Sequence, residues 1–320
     1  MSEPNGPPTT DAEASAADPS NADGRPARLA IGIVGAGRVG SVLGAALAKA
    51  RHRVAAAYAV SVASRLRAHA LLPDVPLVTP HDVFDASDLV VLAVPDDALP
   101  ALVEGLAATG SVRAGQIIAH TSGRYGTDVL EPATRAGALP LALHPVMTFT
   151  GTAVDLERLA GATFGVTAPE PLWPVAEALV LEMGSEPVRI AESDRTLYHA
   201  ALAHGANHLV TLVNDAMDLL REAQVADPDR MLAPLLSAAL DNVLRQGDAA
   251  LTGPVARGDA GTVAGHVAAI EEVAPEAVAA YIALARRTAT RALASGRLRA
   301  GDAEPLLDAL GGPPSPDGNR

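Results

Sequence analysis

Between Leu29 and Ile190 short apolar runs alternate with Ala- and Leu-rich stretches of helical period. The runs are Leu29–Val34, Val54–Ala59, Leu89–Val94, Gln116–His120, Leu139–Leu143, Thr163–Thr167 and Pro187–Ile190. Several are continuously apolar, as strands buried on both faces should be. Strand and helix in alternation predict right-handed βαβ units, so the fold class is α/β with a doubly wound, mostly parallel sheet. After Glu192 the strand signal stops. Thr196 to Val225 predicts one long helix, with Ser193 or Asp194 available as its N-cap. Further helices are expected around Asp229–Arg245, Val263–Val273 and Pro275–Ser295. The second half is therefore expected to be all-α, with no internal repeat. The expected division is a disordered leader 1–26, an α/β domain 27–192, a helical domain 193–300 and a tail 301–320. The leader is rich in Pro, Ser, Asp and Ala, and the chain ends in GGPPSPDGNR. The crevice between two such domains is the expected place for a small-molecule substrate.

Composition narrows the class. The chain has 320 residues, 49% of them hydrophobic, enough for a large core. A formal charge of −13 argues against a nucleic-acid binder, which needs a basic face. No uninterrupted apolar run reaches the roughly 18 residues of a membrane span. Met1-Ser2-Glu3-Pro4 is acidic and lacks an apolar h-region, so a cytoplasmic location is expected. Cysteine is absent, which excludes disulfides, a thiolate nucleophile and a Cys-ligated zinc. Lys49 is the only lysine, so any lysine chemistry has one candidate.

The first apolar run leads into Gly35-Ala36-Gly37-Arg38-Val39-Gly40 and then a helical stretch. Strand, G-x-G-x-x-G and helix in that order form a dinucleotide-binding turn. Gly35 permits the tight turn, Gly37 the approach of the pyrophosphate, and Gly40 close helix packing. The helix N-terminus then faces the phosphates. No acidic residue follows Gly40 until Asp74, so the carboxylate that grips a ribose 2′-OH is missing. Ser61, Ser64 and Arg65 follow the second strand and can hold a 2′-phosphate. This favours NADP(H) over NAD(H). The alternative is that Arg65 and Arg67 are a solvated helix face.

Ligands in open α/β sheets sit beyond the carboxyl ends of the strands. Three such ends carry polar groups here: Val94-Pro95-Asp96, His120-Thr121-Ser122-Gly123, and His144-Pro145. Two histidines at successive strand ends point to at least one substrate contact; either alone could be structural. His52, His69 and His81 are expected on the surface. On the long helix, His199, Ala203 and Asn207 are spaced by four and share a face. His204 and His208 share a neighbouring one, but no carboxylate accompanies them, so no metal is expected. Asn207 serves either a ligand or an interdomain hydrogen bond. Further on, Thr252-Gly253-Pro254 marks a turn, Asp259 or Thr262 caps the next helix, and Arg257 could clamp a carboxylate.

GAGRVG, DLVVLAVPDDAL, IIAHTSGRYGTDVL, LALHPVMTFTG, YHAALAHGANHLVTL and DNVLRQGDAALTGPVARGDAGTVAGH occur in that order over most of residues 28–290. The chain resembles the bacterial predicted oxidoreductases that join a Rossmann-like domain to a C-terminal domain of unknown function. That group is similar to the 6-phosphogluconate, 3-hydroxyisobutyrate and ketopantoate dehydrogenases and the pyrroline-5-carboxylate reductases. The Ala- and Arg-rich composition suggests an actinobacterium, where the likeness to ketopantoate reductases is the most apt.

The resemblance implies that Val94 and Pro95, with Asp96 beside them, pass the nicotinamide ribose. It implies that Ser122-Gly123 is a substrate loop, that His144 contacts the reacting hydroxyl, and that Asn207 is the asparagine of the interdomain helix. The relatives carry a catalytic lysine one turn before that asparagine, where this chain has Ala203. The expected function is thus an NADPH-dependent reductase of a small keto acid or related carbonyl. His199 is the first candidate acid and His144 the second. Asn207 and Ser122 would orient substrate, Arg257 would bind its carboxylate, and His120, Gly123 and Thr252 would line its site. Two alternatives stay open: a non-catalytic NADP(H)-binding regulator, and an imine reductase of the pyrroline-5-carboxylate type. Ala/Leu-rich helix faces suggest a homodimer.

Overall fold

The computed structural model describes residues 28–311. The leader 1–26 and all but the first residue of GGPPSPDGNR lie outside the described residues. Seven strands form one sheet: β1 (Ala30–Val34), β2 (Arg53–Tyr58), β3 (Leu89–Leu92), β4 (Ile117–His120), β5 (Leu139–Pro145), β6 (Thr163–Thr167) and β7 (Glu186–Arg189). Their order is β2-β1-β3-β4-β5-β6-β7. Neighbours are parallel except β5 and β6, which run antiparallel with His144 opposite Gly165. Every strand stands where an apolar run predicted one.

The helices between them are α1 (Arg38–Lys49), α2 (Val62–Leu71), α3 (Pro80–Asp85), α4 (Leu99–Ala108), α5 (Glu131–Arg135), α6 (Val154–Leu159) and α7 (Trp173–Glu182). Side-chain alternation along the strands fills two cores. Ile31, Ile33, Leu89 and Val91 pack with α1 and α7 on one face. Val34, Val90, Leu92 and Ile118 pack with α3 and α4 on the other. Each such side chain, once buried, contributes about 1.5–3 kcal/mol. α3 is started by a capping box in which Thr79 and Asp82 satisfy each other's backbone N–H.

Then follow α8 (Arg195–Leu202), α9 (His208–Glu222), α10 (Pro228–Gln246), α11 (Pro254–Arg257), α12 (Ala260–Val273), α13 (Pro275–Ala294) and α14 (Ala300–Ala309). The chain divides into two compact units between Leu202 and Ala203. That lies ten residues beyond the expected limit at 192, because α8 packs with the sheet unit. In the second unit, α11 to α14 share a core. Ala285, Ala289 and Ala292 of α13 meet Leu298, Ala303 and Leu306.

Two expectations are corrected. Residues 301–309 are not a tail: they form most of α14, whose Ala303 and Leu306 are buried together with Leu310. The single long helix 196–225 is interrupted by one π-turn at Ala203–Asn207. Gly205 lies within it, where helix propensity is weakest. The wider turn breaks the four-residue register assumed for His199, Ala203 and Asn207. A 3₁₀ turn, Glu192–Asp194, precedes α8, so Ser193 and Asp194 belong to that turn.

Candidate active site

The turn after β1 has the geometry a dinucleotide requires. Gly35 has φ +95°, and a Cβ there would stand 2.5 Å from the Ala93 carbonyl oxygen. The N–H groups of Gly35 and Ala36 both donate to the Tyr58 carbonyl, at 3.0 and 2.8 Å, tying the turn to the end of β2. A Cβ on Gly40 would collide with the Gly35 carbonyl, so only glycine lets α1 come this close to β1. Gly37 differs: a Cβ there would meet nothing nearer than 3.8 Å, so open space lies above it. The first turn of α1, from Arg38 and Val39 to Gly40, has no side-chain cap and no acidic residue. Its N–H groups and positive dipole end therefore remain available to an anion.

At the end of β2, Ser61 caps α2, its Oγ accepting from the Ser64 N–H at 3.1 Å. Arg65 donates from Nε to the Ala59 carbonyl at 3.2 Å, which pins the guanidinium at the strand end with both Nη groups unpartnered among the described residues. The loop after β5 closes on the same region, where Gly151 packs against the side chains of Arg38 and Arg67. No carboxylate stands at the end of β2 to repel a 2′-phosphate. After β3, Val94 is partly buried and lies against Gly35, while Pro95 precedes a 3₁₀ turn that begins at Asp96.

Further along the same carboxyl edge, the ends of β4 and β5 form a compact polar cluster. His120 is fully buried. Its Nε2 donates to the Gly126 carbonyl at 2.7 Å, and its Nδ1 accepts from the Ser122 N–H at 3.2 Å. Both nitrogens are used and the tautomer is fixed. Burial first, with help from the Arg195 charge, lowers its pKa to about 4 despite the Gly126 bond. The expected substrate contact is therefore corrected: His120 holds the loop that follows it. Ser122 has a similar duty, its buried Oγ accepting from the N–H groups of Arg124 and Tyr125. Glu192 clamps the far end of that loop, taking the N–H groups of Gly126 at 3.1 Å and Thr127 at 2.7 Å.

The loop thus fixed carries Gly123 between two imidazoles. A Cβ at Gly123 would stand 2.7 Å from Cδ2 of His199 and 2.8 Å from Nε2 of His144. The two rings are 5.9 Å apart, at 77°. The expected pair of candidate acids therefore meets at one glycine. His144 also hydrogen-bonds through Nδ1 to the Tyr198 hydroxyl at 2.8 Å. Burial first, then the neighbouring His199, Arg195 and His120, hold the His144 imidazole down to about 4, so it is neutral at pH 7. Arg195 is buried, donating from Nε to Thr167 Oγ1 at 2.7 Å and from Nη2 to the carbonyls of Ala142 and Gly165. Tyr198, Arg195 and Glu192 are polar neighbours of the candidate site that sequence reasoning missed. The adjacency of Tyr198 to His199 was the one signal available.

The remaining candidates lie in the second unit and are described within it. Asn207 is exposed at the end of the π-turn, and its side chain makes no cap hydrogen bond to α9. His204 and His208 are exposed, their Nδ1 atoms 3.0 Å apart. Thr252 lines a cavity of about 440 Å³ together with Asp215, His266 and Tyr281. Arg257 is exposed on the last turn of α11 and does not line it. Asp259 caps α12 as expected, accepting from the N–H and hydroxyl of Thr262. One surface assignment is corrected: His52 is buried, accepting from the Leu29 N–H and bonded to Glu182 at 2.6 Å.

Known proteins bear on this geometry. The Rossmann-like domain family matches residues 15–145, and a domain of unknown function, DUF2520, matches residues 162–288. No curated protein matches the chain. Among solved structures, a candidate NADP oxidoreductase from Bacteroides fragilis superimposes with a TM-score of 0.69 at 20% identity, over 82% of this chain and 98% of its own. An imine reductase from Pseudomonas sp. gives 0.60 at 17%, over 89% and 100%. A reductive aminase from Aspergillus terreus, solved with NADPH and ethyl levulinate, gives 0.61 at 21%, over 88% and 99%. At these identities the likeness is one of fold.

Proposed function

We propose that this chain, a Rossmann-like domain followed by a DUF2520 domain, is an NADP(H)-dependent oxidoreductase that reduces a small carbonyl compound, a keto acid above all. The observation that carries this reading is the meeting of His144 and His199 at Gly123, on the sheet edge that also bears the glycine turn. The glycine turn and the free N–H groups of α1 suit the pyrophosphate. Ser61, Ser64 and Arg65 suit the 2′-phosphate. The NADP oxidoreductases and NADPH complexes among the structural neighbours support the same cofactor. Bound NADPH would supply the hydride to the substrate carbon.

The residues of the chain then divide the remaining work. His144, neutral at pH 7, donates a hydrogen bond from its single N–H to the substrate oxygen without transferring that proton. A neutral imidazole of this kind polarises a carbonyl without needing to be re-protonated at each turnover. His199, half-buried at the same glycine, is the proton donor to the developing alkoxide. Ser122 acts through the loop rather than by direct contact. The exposed apolar side chains of α9 and α10 support a homodimer.

A C=N bond in place of C=O is the second reading. It is favoured by the imine reductase and reductive aminase among the structural neighbours. The test is NADPH oxidation across a panel of keto acids and cyclic imines. His144→Ala and His199→Ala should each lower turnover on the best substrate by about 10²–10⁴. Full turnover in both variants would remove the mechanism. Tight NADPH binding with no turnover across the panel would leave a non-catalytic regulator.

A further inference from the structure

Tyr198 sits in the first turns of α8 with its hydroxyl 2.8 Å from Nδ1 of His144 and its ring edge-on to the imidazole, centroids 5.6 Å apart at 88°. The room for it comes from Gly165, directly opposite His144 in the antiparallel pair. A Cβ at Gly165 would collide with the phenol. Arg195, one helical turn earlier, places its guanidinium 5.7 Å from the phenol ring and bonds to the carbonyls of both Ala142 on β5 and Gly165 on β6. Its hydrogen bonds all go to neutral oxygens, and its Nη1 is buried with no hydrogen-bond partner among the described residues.

The hydrogen bond could run either way between phenol and imidazole, and the surroundings decide. Burial keeps the proton on the Tyr198 phenol, which is raised above its usual value. A fixed cation nearby makes a phenol O–H a stronger donor and opposes a second proton on the imidazole. The other titratable groups facing His144 are His199, next to Tyr198 on α8, and His120 on the neighbouring strand, and neither is an acceptor for its Nδ1. With Nδ1 accepting, the single proton of the neutral ring must sit on Nε2. That nitrogen is the one against Gly123.

We propose that Tyr198 is a positioning residue: its hydroxyl donates to Nδ1 of His144, fixes the Nε2–H tautomer and turns that N–H toward Gly123, where substrate binds. That Gly123 faces substrate rests on the reductase reading; the tautomer does not.

The full chain, labelled with 15N-histidine and free of cofactor, tests this in two-bond 1H–15N correlation spectra at pH 7, with His144→Gln to assign the signals. The expected result is an unprotonated Nδ1 and a protonated Nε2 at His144. In Tyr198→Phe that signature should give way to a mixture of both tautomers. A wild-type His144 protonated on Nδ1, or a tautomer unchanged in Tyr198→Phe, overturns the proposal. Should Tyr198→Phe fail to fold, the wild-type spectrum still decides the direction of the bond. With a substrate in hand, kcat of Tyr198→Phe should fall by about 10–100-fold, the loss typical when an imidazole loses its orienting partner. The Nε2–H tautomer together with no NADPH oxidation across the panel would overturn the reductase reading and leave the role of Tyr198 standing.

Discussion

His120 and His144 end neighbouring strands, yet burial assigns them different tasks. His120 has both nitrogens spent on its own loop, while His144 keeps one nitrogen toward Gly123. Sequence spacing could place both at the carboxyl edge but could not count their hydrogen bonds, which depend on where the chain returns at Gly126 and Tyr198. The buried His120 has a consequence for acid stability. Its pKa lies near 4 in the folded chain against 6.5 ordinarily. Above pH 6.5 both states are neutral there and the full stability is present. As pH falls from 6.5 to 4, the unfolded chain takes up a proton that the folded one refuses, so stability is lost. At 1.36 kcal/mol per unit, the loss from this group is about 2 kcal/mol by pH 5. Unfolding free energies from urea titrations at pH 7.5 and pH 5 should show wild type losing about 2 kcal/mol more than His120→Gln. Parallel behaviour of the two proteins would show that His120 is not held neutral.

At the scale of elements, the proposed preference for NADP(H) rests on the β2–α2 connection. Ser61 begins α2 and Arg65 is held to the carbonyl of Ala59, so both are organised before a ligand arrives. Arg65→Ala should weaken NADPH binding about 10-fold, the loss of one charge-assisted pair. NADH binding should be nearly unchanged. Calorimetric titration with both nucleotides reads the difference, and equal losses would argue against a 2′-phosphate contact. Strands of this kind were legible because β1 and β3 are apolar on both faces, a pattern that helices of similar length do not keep. The π-turn at Ala203–Asn207 was not legible. A single extra residue in a helical turn leaves the apolar period nearly intact while rotating everything beyond it. The α14 helix was missed for another reason: its GDAEP stretch reads as a loop, and only burial of Ala303 and Leu306 makes it a helix worth forming.

At the scale of the whole molecule, the two units differ in how they hide apolar surface. The sheet unit packs the apolar side chains of its strands into two cores. In the second unit α9 buries none of its residues and α10 only Pro228. Val210, Met231, Leu235, Leu240, Val243 and Leu244 all remain exposed. Exposed apolar side chains on two successive helices are what an association face would need, and the Ala- and Leu-rich pattern that suggested a homodimer is the pattern of these same helices. Light scattering after size exclusion should give twice the mass of the chain. Leu235→Glu with Leu244→Glu should reduce it to one, with the far-ultraviolet spectrum retained. A wild-type monomer at all concentrations would refute the assignment.

Lys49, the exposed last residue of α1, is the only side-chain amine in the chain. The twelve residues of α1 carry it about 18 Å along the helix from the glycine turn. Apart from the α-amine, an amine-directed tether or dye can attach only there. Every copy grafted through Lys49 is held by the far end of α1 and presents the same edge of the sheet to the liquid.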